Sequence, residues 1–269
     1  MNYSYVTTLL NDRFYPGLCA LLYSLKRAKV QYPLTVVVPF DMPEQTKQRI
    51  RDLGLPIIEE ASVTVDDDLL AANPEQRWNL TLFKLNIFKL TQFDKLVFLD
   101  LDMIVMGNLD HLFTCPHMSA VAAGQSKVAQ WTTINSGILV IEPNMRDYEG
   151  LVGCCSEVCR IRLANKQGFG DQDVINYYYP DWENQPELHL SEAYNCIPMC
   201  IDILRAQHGF DYVKVIHFCE SIKPWQYRWK DFIMYLGRRI KHAEWSRIRA
   251  LYIYRKFVKK SCPNFKTFE

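Results

Sequence analysis

Short β-rich runs alternate with helical patterns in the N-terminal part of the chain, and this alternation constrains the fold more than any other feature. Residues 3–8 predict a first strand, and Leu34–Val38 is an unbroken apolar run, as expected of a strand that is buried on both faces. Between them, apolar side chains recur at helical spacing as far as about Arg27. A second helix opens at Pro43, and a short strand follows at residues 57–58. The order β-α-β-α-β predicts a mainly parallel sheet covered by helices.

Size and composition limit the class of protein. The chain has 269 residues, of which 49% are hydrophobic, and no Gly/Ser-rich or Pro-rich stretch divides it, so we expect one large domain. No apolar run reaches the roughly 18 residues that a membrane-spanning helix needs, and residues 1–5 lack the basic start of a signal peptide. Nine cysteines without a CxxC pair favour a reducing compartment. We therefore expect a cytoplasmic protein, with no nucleic-acid partner. Cys154, Cys155 and Cys159 lie in a helical stretch and are interpreted as buried thiols rather than a zinc site.

Two carboxylates, Asp100 and Asp102, follow the apolar run Leu96–Leu99 within the strongest strand pattern of the chain, residues 95–105. Ligands bind beyond the carboxyl ends of parallel strands, and residues i and i+2 of a strand point to the same side, so the two side chains are expected to converge. Two like charges this close are costly unless a cation lies between them, and oxygen ligands favour manganese or magnesium. By itself the pattern is also open to interpretation as a pair of surface caps.

Further polar residues have roles that the residues alone leave open. His217 closes a predicted strand and is either a metal ligand or a structural histidine. Lys223 either reaches a phosphate or is simply solvated. Asp171 opens a helix and suits an N-cap there, whereas the alternative is that Asp171 and Gln172 contact a sugar. Asn135, at the start of a strand, is ambiguous in the same way.

Four segments, taken in order, resemble glycosyltransferase family 8, the group that contains glycogenin and galactinol synthase. They are FLDLDMIVMGNLDHLF, NSGILVIEP, GDQDVIN and HFCESIKPW, and the resemblance runs from about Tyr3 to Trp225. It implies an α/β, single-domain nucleotide-sugar transferase fold of the GT-A type over residues 1–227, with a mixed, mostly parallel sheet flanked by helices. It also implies a retaining transferase that moves glucose or galactose from a UDP-sugar donor to an acceptor hydroxyl. Such an enzyme would depend on Mn²⁺, with Mg²⁺ as the alternative.

The resemblance also assigns roles by position. The metal ligands would be Asp100, Asp102 and His217. The donor would contact Thr8, Leu10, Asn11, Phe14, Arg77, Lys84, Leu101, Asn135 and Lys223. Within that set, Phe14 would stack on the uracil and Lys223 would hold the diphosphate. The reacting sugar would lie over the catalytic candidates Asp171 and Gln172.

Three features depart from the family's pattern. Glu220 stands where the family usually has a small residue beside the diphosphate, and a carboxylate there would repel phosphate unless it turns away or pairs with a cation. Gly168 stands where glycogenin has an acidic residue. Residues 196–207 contain no Tyr, so we expect transfer to a separate acceptor rather than self-glucosylation. Glu220 and Gly168 favour an alternative function, a transferase-like binding protein that is catalytically weak or inactive. A dinucleotide-dependent enzyme is disfavoured, because no Gly-x-Gly-x-x-Gly follows the first strand.

Positive charge is concentrated at the C-terminus. Residues 228–269 carry 12 basic and three acidic side chains, a net charge of +9, which leaves the rest of the chain at −8. Apolar and basic residues intermix there as in a basic amphipathic helix. Such a tail either lies on an anionic membrane surface or packs its apolar side on the catalytic domain. Peripheral membrane contact is therefore one expectation for this tail, and a homodimer is a further expectation for the chain.

Overall fold

The computed structural model describes residues 1–242 and 244–262, and this part of the chain contains eight strands. They are β1 Tyr3–Thr8, β2 Leu34–Pro39, β3 Ile57–Glu60, β4 Lys95–Leu99, β5 Met103–Val105, β6 Ser119–Val121, β7 Asn135–Ile141 and β8 Val215–His217. Six of these strands form the main sheet in the order β3-β2-β1-β4-β7-β6, while β5 and β8 pair with each other in a separate small sheet.

The main sheet is mixed and mostly parallel, as the sequence predicts. β1 pairs in parallel with both β2 and β4, and β2 pairs in parallel with β3. β7 runs antiparallel to β4 and to β6. The carboxyl ends of β1, β2 and β4 therefore meet at one edge, where Thr8 lies opposite Val37 and β4 ends at Leu99. Sheets of this kind bind their ligands at that edge.

Helices cover both faces of the sheet. Those in the described residues are α1 Tyr15–Arg27, α2 Glu44–Asp52, α3 Asp67–Ala72, α4 Met145–Ala164, α5 Asp171–Tyr178, α6 Ile201–His208, α7 Trp229–Lys241 and α8 Trp245–Ser261. Asn11 is an N-terminal cap, because its side chain accepts a hydrogen bond from the backbone N–H of Arg13. The cap opens a short 3-10 turn that leads directly into α1.

Two predicted elements differ from those observed. The apolar spacing of residues 80–90 by itself predicts a helix with one buried side, but Gln76–Lys89 forms 3-10 turns in which every residue from Leu82 to Phe88 is buried. Residues 95–105 are two strands rather than one. A turn at Asp100 divides them, because Met103 N donates to the carbonyl of Asp100 and the chain then leaves the main sheet to pair with β8.

Two apolar layers enclose the sheet, and neighbouring residues of each central strand belong to opposite layers. Val97 and Leu99 face a layer that includes α1, α6 and α8. Leu96 and Phe98 face a second layer, built on the 3-10 segment together with α4 and α5. The polar edge of the sheet lies between these layers, so the side chains at the ends of β1 and β4 are held by packed elements on both sides.

The C-terminal helices differ in how they pack. The apolar side of α8, including Tyr254, Phe257 and Val258, is buried against α1, so packing on the rest of the protein explains this part of the tail. No residue of α7 whose side chain is described is fully buried. Residues 263–269 of the predicted tail lie outside the described residues. Among the described helices, none is both long and apolar enough to cross a bilayer.

Candidate functional site

A cleft of about 640 Å³ opens at the carboxyl ends of β1 and β4. Its volume falls in the range of small-molecule sites, roughly 300–1,000 Å³. All of the residues that the sequence singled out for the metal, the donor and the reacting sugar lie on its walls. They are Thr8, Leu10, Asn11, Phe14, Arg77, Lys84, Asp100, Leu101, Asp102, Asn135, Asp171, Gln172, His217 and Lys223.

Three potential metal ligands meet at the centre of this cleft. One ligand atom each from Asp100, Asp102 and His217 lies within 4.8 Å of the others. His217 Nε2 is 3.2 Å from Asp102 Oδ1 and 3.9 Å from Asp100 Oδ2. The two carboxylates converge because they flank a turn between β4 and β5, whereas the sequence argument placed them on one strand. His217 joins them because β8 pairs with β5 in a register that sets it opposite Met103.

Asn195 fixes the orientation of the His217 ring. This fully buried asparagine donates from its side-chain amide to Asn135 Oδ1 (2.8 Å), so its own Oδ1 accepts from His217 Nδ1 (2.8 Å). The hydrogen-bond network thus assigns the imidazole proton to Nδ1 and directs the lone pair of Nε2 at the two carboxylates. Three electron-pair donors then face one small space. This arrangement fits a divalent cation such as manganese or magnesium.

Lys84 joins the acidic cluster to the opposite wall of the cleft. Its ammonium is buried and lies 3.0 Å from Asp100 Oδ1 and 2.8 Å from Asp171 Oδ2. It also donates to the backbone carbonyl and the hydroxyl of Ser136. Burial lowers the pKa of Lys84, but Asp100 and Asp171 outweigh burial and hold the pKa above its usual range. Lys84 therefore stays charged while it positions two carboxylates at once.

The two carboxylates of the cluster titrate differently. Burial raises the pKa of Asp100 to about 6, and the nearby charge of Asp102 adds to this increase. Burial also acts to raise the pKa of Asp102, but Lys223 and His217 outweigh it and keep that pKa well below its usual range. The Lys223 ammonium is 2.6 Å from Asp102 Oδ2. Asp102 is therefore ionised throughout the ordinary pH range, whereas Asp100 gains a proton in mildly acidic solution.

Asp171 does not cap its helix, contrary to one interpretation of the sequence. Gly170 is the capping residue of α5, and the side chain of Asp173 accepts from its backbone N–H at 2.9 Å. Asp171 is the first residue of the helix and is buried, and its Oδ2 lies 2.8 Å from the Lys84 ammonium. Asp171 also lines the cleft. Beside it, Gln172 Oε1 accepts from Ser136 N at 3.3 Å.

Phe14 contributes an aromatic ring to the wall of the cleft. Phe14 contacts Trp225 edge to face, with ring centroids 5.9 Å apart, and Trp225 donates its indole N–H to the carbonyl of Arg13. Arg77 is exposed and pairs with Glu75 at 3.1 Å, whereas Lys84 is buried between two carboxylates. An aromatic ring in the wall of a cleft suits contact with a planar base.

Sequence reasoning missed two residues that hold the site together. They are Asn195 and Ser136. Nothing in the sequence around them signals a role, because each contacts a residue that is distant in the chain: Asn195 contacts His217, and Ser136 contacts Lys84. Within the described residues, Cys154, Cys155 and Cys159 do not form a cluster that could hold a metal ion. Cys155 and Cys159 are buried thiols.

Comparison with known sequences gives relatives along most of the chain. Glycogenin-1 of Caenorhabditis elegans is 29% identical over 233 residues, which cover 84% of this chain and 51% of that protein. Galactinol synthase 6 of Arabidopsis thaliana is 26% identical over 264 residues, covering 83% of this chain and 73% of that protein. The chain thus spans about half the length of the nematode glycogenin.

Solved structures share the fold. The galactosyltransferase LgtC, determined with donor and acceptor sugar analogues, superposes with a TM-score of 0.61 at 16% identity over 97% of this chain and 96% of its own. The glycosyltransferase GlyE of Streptococcus pneumoniae gives a TM-score of 0.55 at 18% identity over 97% of this chain and 64% of its own. At this identity the likeness concerns the fold, which is of the GT-A type. The family model named Glycosyl transferase family 8 matches residues 5–228, and the chain belongs to that family.

Proposed function

We propose that this glycosyltransferase moves glucose or galactose from a UDP-sugar to an acceptor hydroxyl with retention of the anomeric configuration, and that it depends on manganese. The observation that carries the proposal is the meeting of Asp100, Asp102 and His217 in a cleft of nucleotide-sugar size, with Lys84 and Lys223 in contact with the two carboxylates. A sugar nucleotide presents phosphates, a base and a sugar, and the cleft offers cationic, aromatic and acidic groups along its length.

The proposed cation ligands are Asp100, Asp102 and His217. A divalent cation bound there would neutralise negative charge on the diphosphate as it leaves. Two carboxylates and one imidazole favour manganese over magnesium, because magnesium prefers oxygen ligands and keeps several waters. Asn195 contributes by keeping the His217 lone pair on the ligand side.

Lys223 is proposed to hold the diphosphate. Its ammonium lies beside Asp102, in the same part of the cleft as the cation ligands. Ammonium groups bind phosphate oxygens by charge-assisted hydrogen bonds, and they stabilise most strongly the state in which the leaving group carries the most charge. Phe14, which lines the cleft, is proposed to stack on the uracil.

Asp171 and Gln172 are proposed to face the reacting sugar. The Asp171 carboxylate, which lines the cleft, would act either as a nucleophile or as a group that stabilises positive charge developing at the anomeric carbon. Lys84 contacts Asp171 Oδ2 at 2.8 Å and fixes the position of this carboxylate. Both routes place negative charge next to the anomeric carbon. The Asp171→Asn variant is therefore expected to lose sugar-transfer activity while it still binds UDP.

The direct test is UDP release from UDP-glucose and UDP-galactose with and without manganese. Asp102→Asn is expected to abolish manganese-dependent release, because it removes a ligand and a partner of Lys223. Asp66→Asn serves as the control, since that carboxylate pairs with exposed Arg160 on the surface. Release by Asp102→Asn at the wild-type rate would contradict the metal assignment. UDP binding without any release, by the wild-type chain, would instead favour the inactive binding protein.

Peripheral membrane contact remains a proposal for α7. Ile233, Met234 and Ile240 are 49%, 66% and 51% exposed, with Lys230 and Lys241 exposed on the same helix. Apolar side chains among lysines complement an anionic lipid surface in both polarity and charge. The double change Ile233→Asp and Ile240→Asp is expected to abolish co-sedimentation with phosphatidylserine vesicles, unlike Met145→Asp, an exposed site on α4. Equal, negligible pelleting of all three proteins would exclude this surface.

Two further expectations also remain predictions. A homodimer is tested by light scattering after size-exclusion chromatography. The cytoplasmic location that the cysteines favour is tested by fractionating cells that express the chain.

A further inference from the structure

Glu220 places a carboxylate in the wall of the cleft, three residues before Lys223. If the cleft binds a sugar nucleotide, this negative charge lies near a ligand that is itself negatively charged. Like charges in a partly buried site repel each other, and a cation beside one of them reduces this repulsion. The charges around Glu220 therefore decide whether the cleft accepts a diphosphate.

Two arginines from the C-terminal helices contact this carboxylate. Arg247 of α8 donates to Glu220 Oε1 at 2.7 Å, and Arg239 of α7 lies 3.5 Å from the same oxygen. Both guanidinium groups also pair with Glu244, at 2.7 and 2.9 Å. The side chains of Arg239 and Arg247 are only 15% and 13% exposed, so solvent screens these contacts less than on an open surface. The four residues form a network of two positive and two negative charges.

The same helices hold the segment around Glu220 at other points. Tyr254 of α8 stacks on Trp225, with ring centroids 5.7 Å apart, and donates its hydroxyl to the carbonyl of Leu101. Arg255 donates to the carbonyl of Pro224 at 3.2 Å. Leu101 lies between the two metal-ligand candidates, and Pro224 follows Lys223. The C-terminal helices therefore contact both sides of the proposed diphosphate site.

We propose that Arg247, assisted by Arg239, is a positioning residue that holds the Glu220 carboxylate and offsets its charge, so that the cleft accepts a nucleoside diphosphate. This inference rests on the proposed function and adds to it. Both arginines lie beyond residue 228, where the family match ends, so this chain supplies from its own C-terminal helices the charge that its unusual glutamate requires. The acidic side chain and its two partners act as one unit.

The experiment measures UDP affinity by calorimetry in the presence of Mn²⁺. Arg247→Met exposes the Glu220 charge and is expected to weaken UDP binding about tenfold, the size of effect that an uncompensated charge produces in a partly screened site. Adding Glu220→Gln to Arg247→Met is expected to restore wild-type affinity. Arg249→Met, an exposed arginine two residues along α8, is the matched control and is expected to bind UDP as the wild type does.

Glu220→Gln alone gives a second test that does not require the arginine variant to fold. It removes the carboxylate and leaves both guanidinium groups beside the cleft, so UDP is expected to bind more tightly than to the wild type. Weaker binding would overturn the inference. A purely structural role for Arg247 would lower the unfolding temperature and UDP affinity together, with no rescue by Glu220→Gln, and that result would also overturn it.

The outcomes separate this inference from the proposed function. A wild-type chain that fails to bind UDP in Mn²⁺ would contradict both. A wild-type chain that binds UDP, together with an Arg247→Met variant that binds equally well or is not rescued, would contradict the inference alone. Rescue by the double variant, with Arg249→Met unchanged, supports it.

Discussion

Replacing Asn195 by leucine is expected to weaken manganese binding by about 10- to 100-fold. In the wild type, Asn195 Oδ1 holds the Nδ1 proton of His217 at 2.8 Å. Without that acceptor the ring can place its proton on Nε2, which lies 3.2 Å from Asp102 Oδ1 and would donate to it. A hydrogen bond to a charged group contributes about 1.5–3 kcal/mol, and the cation must displace it before it binds. Since 1.4 kcal/mol is about a factor of ten, the loss matches that found for groups that orient metal ligands.

The assay is a manganese titration followed by the electron paramagnetic resonance signal of the free ion. Asn195→Asp keeps an acceptor for Nδ1 and is expected to bind manganese more tightly than Asn195→Leu does. Asn86→Leu controls for loss of a buried amide, because Asn86 is fully buried but bonds to the carbonyls of Ala61 and Phe83 outside the cleft. Equal manganese affinity in folded Asn195→Leu and wild type would refute the tautomer argument.

Three further predictions follow from distances and charges at the site. Gly137→Ala is expected to reduce manganese affinity more than tenfold and to lower the unfolding free energy by about 1–3 kcal/mol, because the new Cβ would lie 2.6 Å from His217 Cε1. Calorimetry measures the first effect and urea titration the second, and unchanged values would show that the His217 ring moves freely. Manganese affinity is expected to fall as the pH drops through about 6, by up to a factor of ten per pH unit. The reason is that the pKa of Asp100 is raised to about 6, so that below this pH a proton competes with the cation for the carboxylate. A manganese affinity that stays constant between about pH 5 and 8 would contradict this. Tyr254→Phe is expected to lower the unfolding free energy by about 1–2 kcal/mol, because the carbonyl of Leu101 loses the buried hydroxyl that donates to it. Urea titration measures this change, and an unfolding free energy equal to that of the wild type would contradict a stabilising role for the hydrogen bond.

Much of the fold followed from periodicity, because local spacing determines local structure. The strands and helices of the N-terminal part lie where their apolar patterns predict. One of the two exceptions, at residues 95–105, has a physical cause: the run is apolar on both sides of Asp100, and composition does not reveal that a hydrogen-bonded turn divides it. The expected convergence of Asp100 and Asp102 occurs, but a turn produces it.

The site was predictable where a residue acts through its own chemistry, and not where it acts through a distant partner. The carboxylates of Asp100 and Asp102 after a strand are visible in the sequence. The negative charge that Glu220 would place near a diphosphate is visible there as well. Its partners Arg239 and Arg247 could not be predicted, because helical spacing determines which face of α7 or α8 is apolar but not which loop that helix meets. Asn195 is one asparagine among several, and its role follows from the pairing that brings His217 next to it.

The pairing of β5 with β8 has a consequence for how the protein is made. It joins Met103 to His217, so more than one hundred residues must be synthesised between the first two metal-ligand candidates and the third. A nascent chain on the ribosome that stops before β8 already contains all six strands of the main sheet but lacks His217, the third metal-ligand candidate. Domains form progressively during synthesis, and contacts between distant segments form late. The main sheet can therefore form before the third candidate ligand, His217, has been synthesised.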